Sequence, residues 1–141
     1  MKNLTLITHP LIRRDISVLR DRRTPGDRFR QTLSRIAALM AYEVTKDLSV
    51  ETYFLSTPLE KTKGHHLAEE IVLVPVLRAG LGMVEGFLNF LPEAKVGHIG
   101  LYRDEETLKP IDYYSKFPKT LKKSLVFLLD PMLATDRKSV V

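Results

Sequence analysis

Ile71, Val72, Leu73, Val74, Pro75, Val76 and Leu77 follow Glu70 as an unbroken apolar run near the middle of the chain. A run of β-branched and aliphatic residues with no polar alternation suits a strand covered on both faces, as in a parallel sheet. Pro75 lacks a donor N–H and is expected near the strand's end. Parallel strands need crossovers, and the rest of the chain alternates between helical and strand patterns. Leu11, Ile12, Ile16 and Leu19 recur at helical spacing after the short apolar segment of residues 4–7. Thr24, Pro25 and Gly26 interrupt that pattern, with Thr24 as hydroxyl cap and Pro25 as first residue of the next helix. Phe29, Leu33, Ile36, Ala37, Met40, Ala41 and Val44 then form one stripe, so residues 25–46 are predicted to be a long amphipathic helix. Val50–Ser56 reads as an edge strand, residues 61–66 as a polar turn, and 83–91 as a short helix closed by Pro92. Residues 95–102, 110–117 and Leu125–Leu129 read as further strands, with a charged turn at 103–107. This order predicts one α/β domain with a largely parallel sheet flanked by helices.

Composition narrows the setting. The 141 residues are 44% apolar, enough for one domain with a core of its own. The 22 Lys and Arg against 17 Asp and Glu give +5, which suits a phosphate-bearing ligand but is too mild to demand nucleic acid. No cysteine is present, which excludes disulfides and thiolate metal sites and fits a reducing cytoplasm. The first ten residues hold no apolar stretch of signal-peptide length, and no run is long enough to span a bilayer, so a cytoplasmic protein is expected.

Ligands of open α/β sheets sit beyond the carboxyl ends of strands, and three such ends here carry unusual polar residues: Arg78, Arg103 and Asp130. Arg78 precedes Ala79 and Gly80, small enough for a ligand to approach the backbone, and its guanidinium can hold a phosphate bidentately. The alternative is a surface arginine capping the sheet; Arg103 equally has Asp104, Glu105 and Glu106 beside it as simple ion-pair partners. Leu128-Leu129-Asp130-Pro131-Met132-Leu133-Ala134-Thr135 reads as a buried strand ending in an acid and a small-residue turn. An Asp there can accept hydrogen bonds from sugar hydroxyls, and the turn can aim backbone N–H groups at a phosphate. Gly80, Gly82 and Gly86 invite a dinucleotide reading, but the third comes one residue too late for that motif. His65 and His66 have no spaced carboxylate partners and read as solvated; His9 and His98 are isolated. Tyr113 and Tyr114 suit a lid, a subunit contact or a half-buried strand.

The segments Pro75-Val76-Leu77-Arg78-Ala79-Gly80-Leu81-Gly82-Met83, Tyr102-Arg103-Asp104-Glu105-Glu106-Thr107 and Asp130-Pro131-Met132-Leu133-Ala134-Thr135 resemble the uracil phosphoribosyltransferase family. So do Thr8-His9-Pro10-Leu11 and Met40-Ala41-Tyr42-Glu43. The resemblance is collinear over residues 5–135 and implies a type I phosphoribosyltransferase fold. It implies the reaction of uracil with 5-phosphoribosyl 1-diphosphate to give UMP and diphosphate, with Mg²⁺ held mainly through the substrate rather than by metal-ligating residues. Arg78 and Arg103 would then contact the diphosphate. Asp130, the catalytic candidate, would hold the ribose hydroxyls and fix the sugar for attack by the uracil nitrogen, with Pro131, Met132, Leu133, Ala134 and Thr135 around the ribose and its 5-phosphate. The segment 103–117 resembles the family's mobile cover. A homo-oligomer and a GTP effector are implied too, with neither membrane nor nucleic acid as partner.

Departures from the family pattern begin after Thr135. Asp136 stands where the family carries a glycine, bringing a negative charge and a Cβ to a phosphate position. Residues 136–141 also resemble one translated frame of a sequencing adapter, so residues 1–135 are expected to be the native N-terminal two-thirds of a domain and 136–141 a non-native tail. On this expectation no uracil-binding segment is present, the polypeptide as written is inactive, and the sheet exposes an open edge and uncovered apolar residues. A regulator that binds RNA on the same fold is the alternative function, since residues 11–40 hold eight arginines against three aspartates.

Overall fold

The computed structural model describes residues 4–104, 107 and 109–132. Pro10–Arg20 (α1) begins where His9 Nδ1 accepts a hydrogen bond from the Leu11 amide at 3.2 Å, satisfying one of the donors that a helix start leaves open. Gly26–Val44 (α2) buries Leu33, Ile36, Ala37 and Ala41 of the expected stripe. The Thr24 cap is not formed. The helix starts one residue later, with Pro25 at the cap position, because the Thr24 hydroxyl instead donates to the Val18 carbonyl at 2.7 Å and ties the connection back onto α1.

Val50–Ser56 (β1) pairs antiparallel with Lys61–Leu67 (β2). Residues 61–66 are therefore a strand and not the expected turn. Both faces of this two-stranded ribbon are largely exposed, so its polar residues carry no period-2 signal to read. The true turn lies just before, where the Thr57 amide and hydroxyl both donate to the Glu60 carbonyl.

Ile71–Leu77 (β3) is the central strand and is buried over its first five residues. Leu125–Leu129 (β7) runs parallel along one side of it. Lys95–Val96 (β4) and His98–Arg103 (β5) run parallel along the other, and Pro110–Lys116 (β6) lies antiparallel beyond β5. The single strand expected over 95–102 is interrupted at Gly97, whose amide donates to the Leu73 carbonyl at 2.9 Å while the Phe117 ring crowds its Cα. Leu81–Leu88 (α3) is shifted toward the N-terminus from the expected 83–91, since the turn after β3 is tight enough to start the helix at once.

One face of the sheet packs against α2 and α3. Leu73, Ile71, Leu129, Met83, Phe87, Leu91, Leu33, Ala37 and Ala41 form the core there. The layers close because Gly86 of α3 meets the Ser34 carbonyl and the Ala37 Cβ of α2 with no side chain between them. α1 docks on α2 through Ile12 and Asp15. Along β7, Leu129 is buried while Val126 and Leu128 are 43% and 64% exposed, and among the described residues no strand pairs with the outer edge of β7. The uncovered apolar residues expected from the sequence are therefore present.

Candidate functional site

Because β3, β5 and β7 are parallel, their carboxyl ends lie on one edge of the sheet. Arg78 follows the last residue of β3, Arg103 is the last residue of β5, and Asp130 follows the last residue of β7. The register sets their relative heights. Leu129 is level with Pro75, so Asp130 stands beside the final residues of β3. Gly100 is level with Leu77, so Arg103 lies three residues farther out, paired only with Pro110 of β6.

The peptide bond between Leu77 and Arg78 is cis. Beyond it the chain turns sharply: the Gly80 amide donates to the Val76 carbonyl at 2.8 Å and the Met83 amide to the Gly80 carbonyl at 3.0 Å, opening α3. Arg78 and Ala79 are exposed on this turn, whereas Gly80 is buried. The sequence reading of Gly80 as room for a ligand needs correction. A Cβ there would strike the Leu129 carbonyl oxygen and the Val76 backbone, so the glycine lets the turn lie flat across the ends of β3 and β7. Gly82 and Gly86 likewise face Leu33 and the α2 backbone, which accounts for all three glycines by packing.

Asp130 is exposed, and its Oδ1 accepts the Met132 amide at 3.0 Å, which folds Pro131 and Met132 into a turn. Leu133, Ala134, Thr135 and Asp136 lie outside the described residues, as do Glu105 and Glu106. The hairpin end beyond Arg103 is shaped by Asp104, whose Oδ1 accepts both the Thr107 amide at 2.6 Å and its hydroxyl at 2.7 Å. Among the described residues no cluster of three or more His, Cys, Asp or Glu is placed to hold a metal, and no helix is long and apolar enough to cross a membrane. Arg78 and Asp130 thus offer one exposed cation and one exposed anion at the same edge, a pairing suited to a ligand that carries phosphate at one end and hydroxyls at the other.

Three residues carry structural roles that the sequence does not announce. Asp15, fully buried, accepts Arg35 Nε at 2.6 Å and Arg14 Nε at 2.9 Å and so pins α1 to α2. The Arg35 hydrogen bond holds its carboxyl below the usual aspartate range against the upward push of burial. Its place three residues after Ile12, on the apolar side of α1, was the available signal. Glu70 gathers Lys95 Nζ at 2.6 Å, the Thr120 hydroxyl and the Ser124 hydroxyl at 3.1 Å, and these bonds, Lys95 foremost, lower its pKa. It thereby joins the starts of β3 and β4 to the loop that enters β7. Tyr113 is the third and is a bulge residue: Gly100 pairs with Tyr114 and Leu101 with Asp112, leaving Tyr113 without a partner on β5. As for the basic stretch, several of its arginines face acids: Arg14 and Arg35 hold Asp15, and Arg23 holds Asp21 at 2.9 Å.

The model of the uracil phosphoribosyltransferase family matches residues 6–140. The uracil phosphoribosyltransferase of Salinibacter ruber is 52% identical over 135 residues, covering 96% of this chain and 64% of its own length. That of Finegoldia magna is 53% identical over 136 residues, covering 96% of this chain and 65% of its own. Among solved structures, the AQ2163 protein from Aquifex aeolicus superposes with a TM-score of 0.85 at 41% identity, over 92% of this chain and 62% of that one. The chain therefore spans somewhat less than two-thirds of the length of these relatives.

Proposed function

Since the chain belongs to the uracil phosphoribosyltransferase family, we propose that it serves the transfer of a phosphoribosyl group from 5-phosphoribosyl 1-diphosphate to uracil, giving UMP and diphosphate. The observation that carries this reading is that Arg78, Arg103 and Asp130 all follow or end parallel strands whose carboxyl ends share one side of the sheet, within the motifs that resemble the family. As the bond between ribose C1 and the diphosphate oxygen breaks, positive charge grows on the sugar and negative charge on the departing group. Arg78 and Arg103 stabilise that departing charge. Asp130 accepts the ribose hydroxyls and fixes the sugar for attack by a uracil nitrogen, which is a contribution of position. Contacts to the ribose and its 5-phosphate are assigned to Pro131, Met132, Leu133, Ala134 and Thr135. Mg²⁺, when bound, neutralises part of the diphosphate charge, and the exposed Asp130 fits an ion that is held mostly by substrate oxygens.

The homo-oligomer, the GTP effector and the cytoplasmic setting belong to the same reading. Light scattering with and without GTP checks the first two, and cell fractionation the third. The site itself is tested by titrating 5-phosphoribosyl 1-diphosphate into the chain by calorimetry. Saturable binding that requires Mg²⁺ and weakens about tenfold or more in Arg78→Ala is expected, the scale of one charge-assisted contact. Equal binding by the variant would remove Arg78 from the site.

A further inference from the structure

β5 leaves the sheet at Gly100. Up to that residue it is hydrogen-bonded to β3 on one side and β6 on the other; from Leu101 to Arg103 it pairs with β6 alone, as a two-stranded arm projecting past the sheet edge. The β-bulge falls at this exit. A bulge adds one residue to one strand, bends it and increases its twist, and so re-aims whatever the strand carries next. Here the extra residue is Tyr113, and its ring lies over Gly100: a Cβ on Gly100 would sit 2.6 Å from Tyr113 Cζ. The same ring meets Tyr102 at a centroid distance of 6.0 Å and an interplanar angle of 44°. Both tyrosines are about half exposed, so burial of a core does not explain them. A two-stranded ribbon has little stability of its own, and a cross-strand aromatic over a strand glycine is a known way to hold one.

We infer that Tyr113 is a positioning residue: its ring, seated on Gly100 and against Tyr102, fixes the direction in which the arm leaves the sheet and hence where Arg103 meets the diphosphate. The part concerning Arg103 rests on the proposed function; the part concerning the arm does not. The ring and the absent Cβ are two halves of one contact, so removing either has the same consequence and removing both adds little.

The experiment compares the chain with Tyr113→Ala, Tyr113→Phe, Gly100→Ala and the Gly100→Ala/Tyr113→Ala pair. One readout is amide hydrogen exchange across β5 and β6, and the other is calorimetric binding of inorganic diphosphate with Mg²⁺. Tyr113→Ala and Gly100→Ala should each speed exchange of the arm amides about threefold to tenfold, the scale of one aromatic contact, with the rest of the sheet unchanged. The double variant should match Tyr113→Ala, and Tyr113→Phe should match the parent chain. Both single alanine variants should weaken diphosphate binding, which Tyr113→Phe should retain. Unchanged arm exchange in Tyr113→Ala, additive effects in the double variant, or failure of Phe to substitute would overturn the ring's role. Altered exchange with undiminished diphosphate binding would overturn the link to Arg103. Absence of diphosphate binding by the parent chain would instead count against the proposed function, leaving exchange to decide the arm.

Discussion

Gly80 shows how little room one residue has at the edge where the candidate site forms. Its Cα lies so close to the Leu129 carbonyl and the Val76 backbone that Gly80→Ala must push apart the ends of β3 and β7. A loss of about 1–3 kcal/mol in denaturant unfolding is expected, the cost of overpacking against groups that cannot rotate away. Asp15 makes a second residue-scale case. Asp15→Ala removes a fully buried carboxylate from two arginines that are themselves half exposed and can return to water. The loss expected is therefore that of charged hydrogen bonds, about 1–3 kcal/mol, rather than that of stranding a buried charge. Its titration gives a sign. The folded pKa lies below the unfolded one, so the stabilisation is present above the ordinary carboxylate range and disappears as pH falls through the folded value. Glu70, lowered by Lys95 and Thr120, behaves the same way. Stability curves of the parent chain should fall steeply below about pH 4, and Asp15→Ala should flatten that fall. An unchanged slope would show that Asp15 does not carry it.

At the scale of elements, legibility followed burial. Ile71–Leu77 is legible to the residue because a strand flanked on both sides must be apolar throughout, and Leu125–Leu129, paired on one side only, because it is an unbroken apolar run, while the exposed Val50–Ser56 shows through its β-branched and aromatic residues. α2 was read from its stripe, with ends displaced by a residue or two. Residues 61–66 carry no strand signal because a ribbon exposed on both faces imposes no pattern; only their pairing with β1 makes them a strand. Thr24 departs from its expected capping role for a related reason, since a hydroxyl takes whichever partner the tertiary structure brings near, here the Val18 carbonyl. The candidate site was legible as motifs, and parallel strand order then placed Arg78, Arg103 and Asp130 at one edge. The Tyr113 bulge was not legible, because a one-residue slip in pairing leaves no mark in composition.

The whole molecule has one face that its own described residues leave open. β7 presents Val126 and Leu128 to solvent and an outer edge without a described partner strand, the arrangement that invites association. The 141-residue chain should therefore associate as concentration rises, and a Val126→Thr/Leu128→Lys double variant should suppress this in sedimentation velocity; equal association by both would place the sticky surface elsewhere. We propose that Arg78 and Arg103 hold the departing diphosphate. The most direct test joins residues 1–135 to the remaining C-terminal portion of the Salinibacter ruber relative and measures uracil-dependent release of diphosphate. Activity that requires Mg²⁺ and falls about a hundredfold in turnover in Arg78→Ala and in Arg103→Ala is the predicted result, the scale of losing one contact to transition-state charge. Parent-level turnover in both arginine variants would show that neither arginine holds the diphosphate.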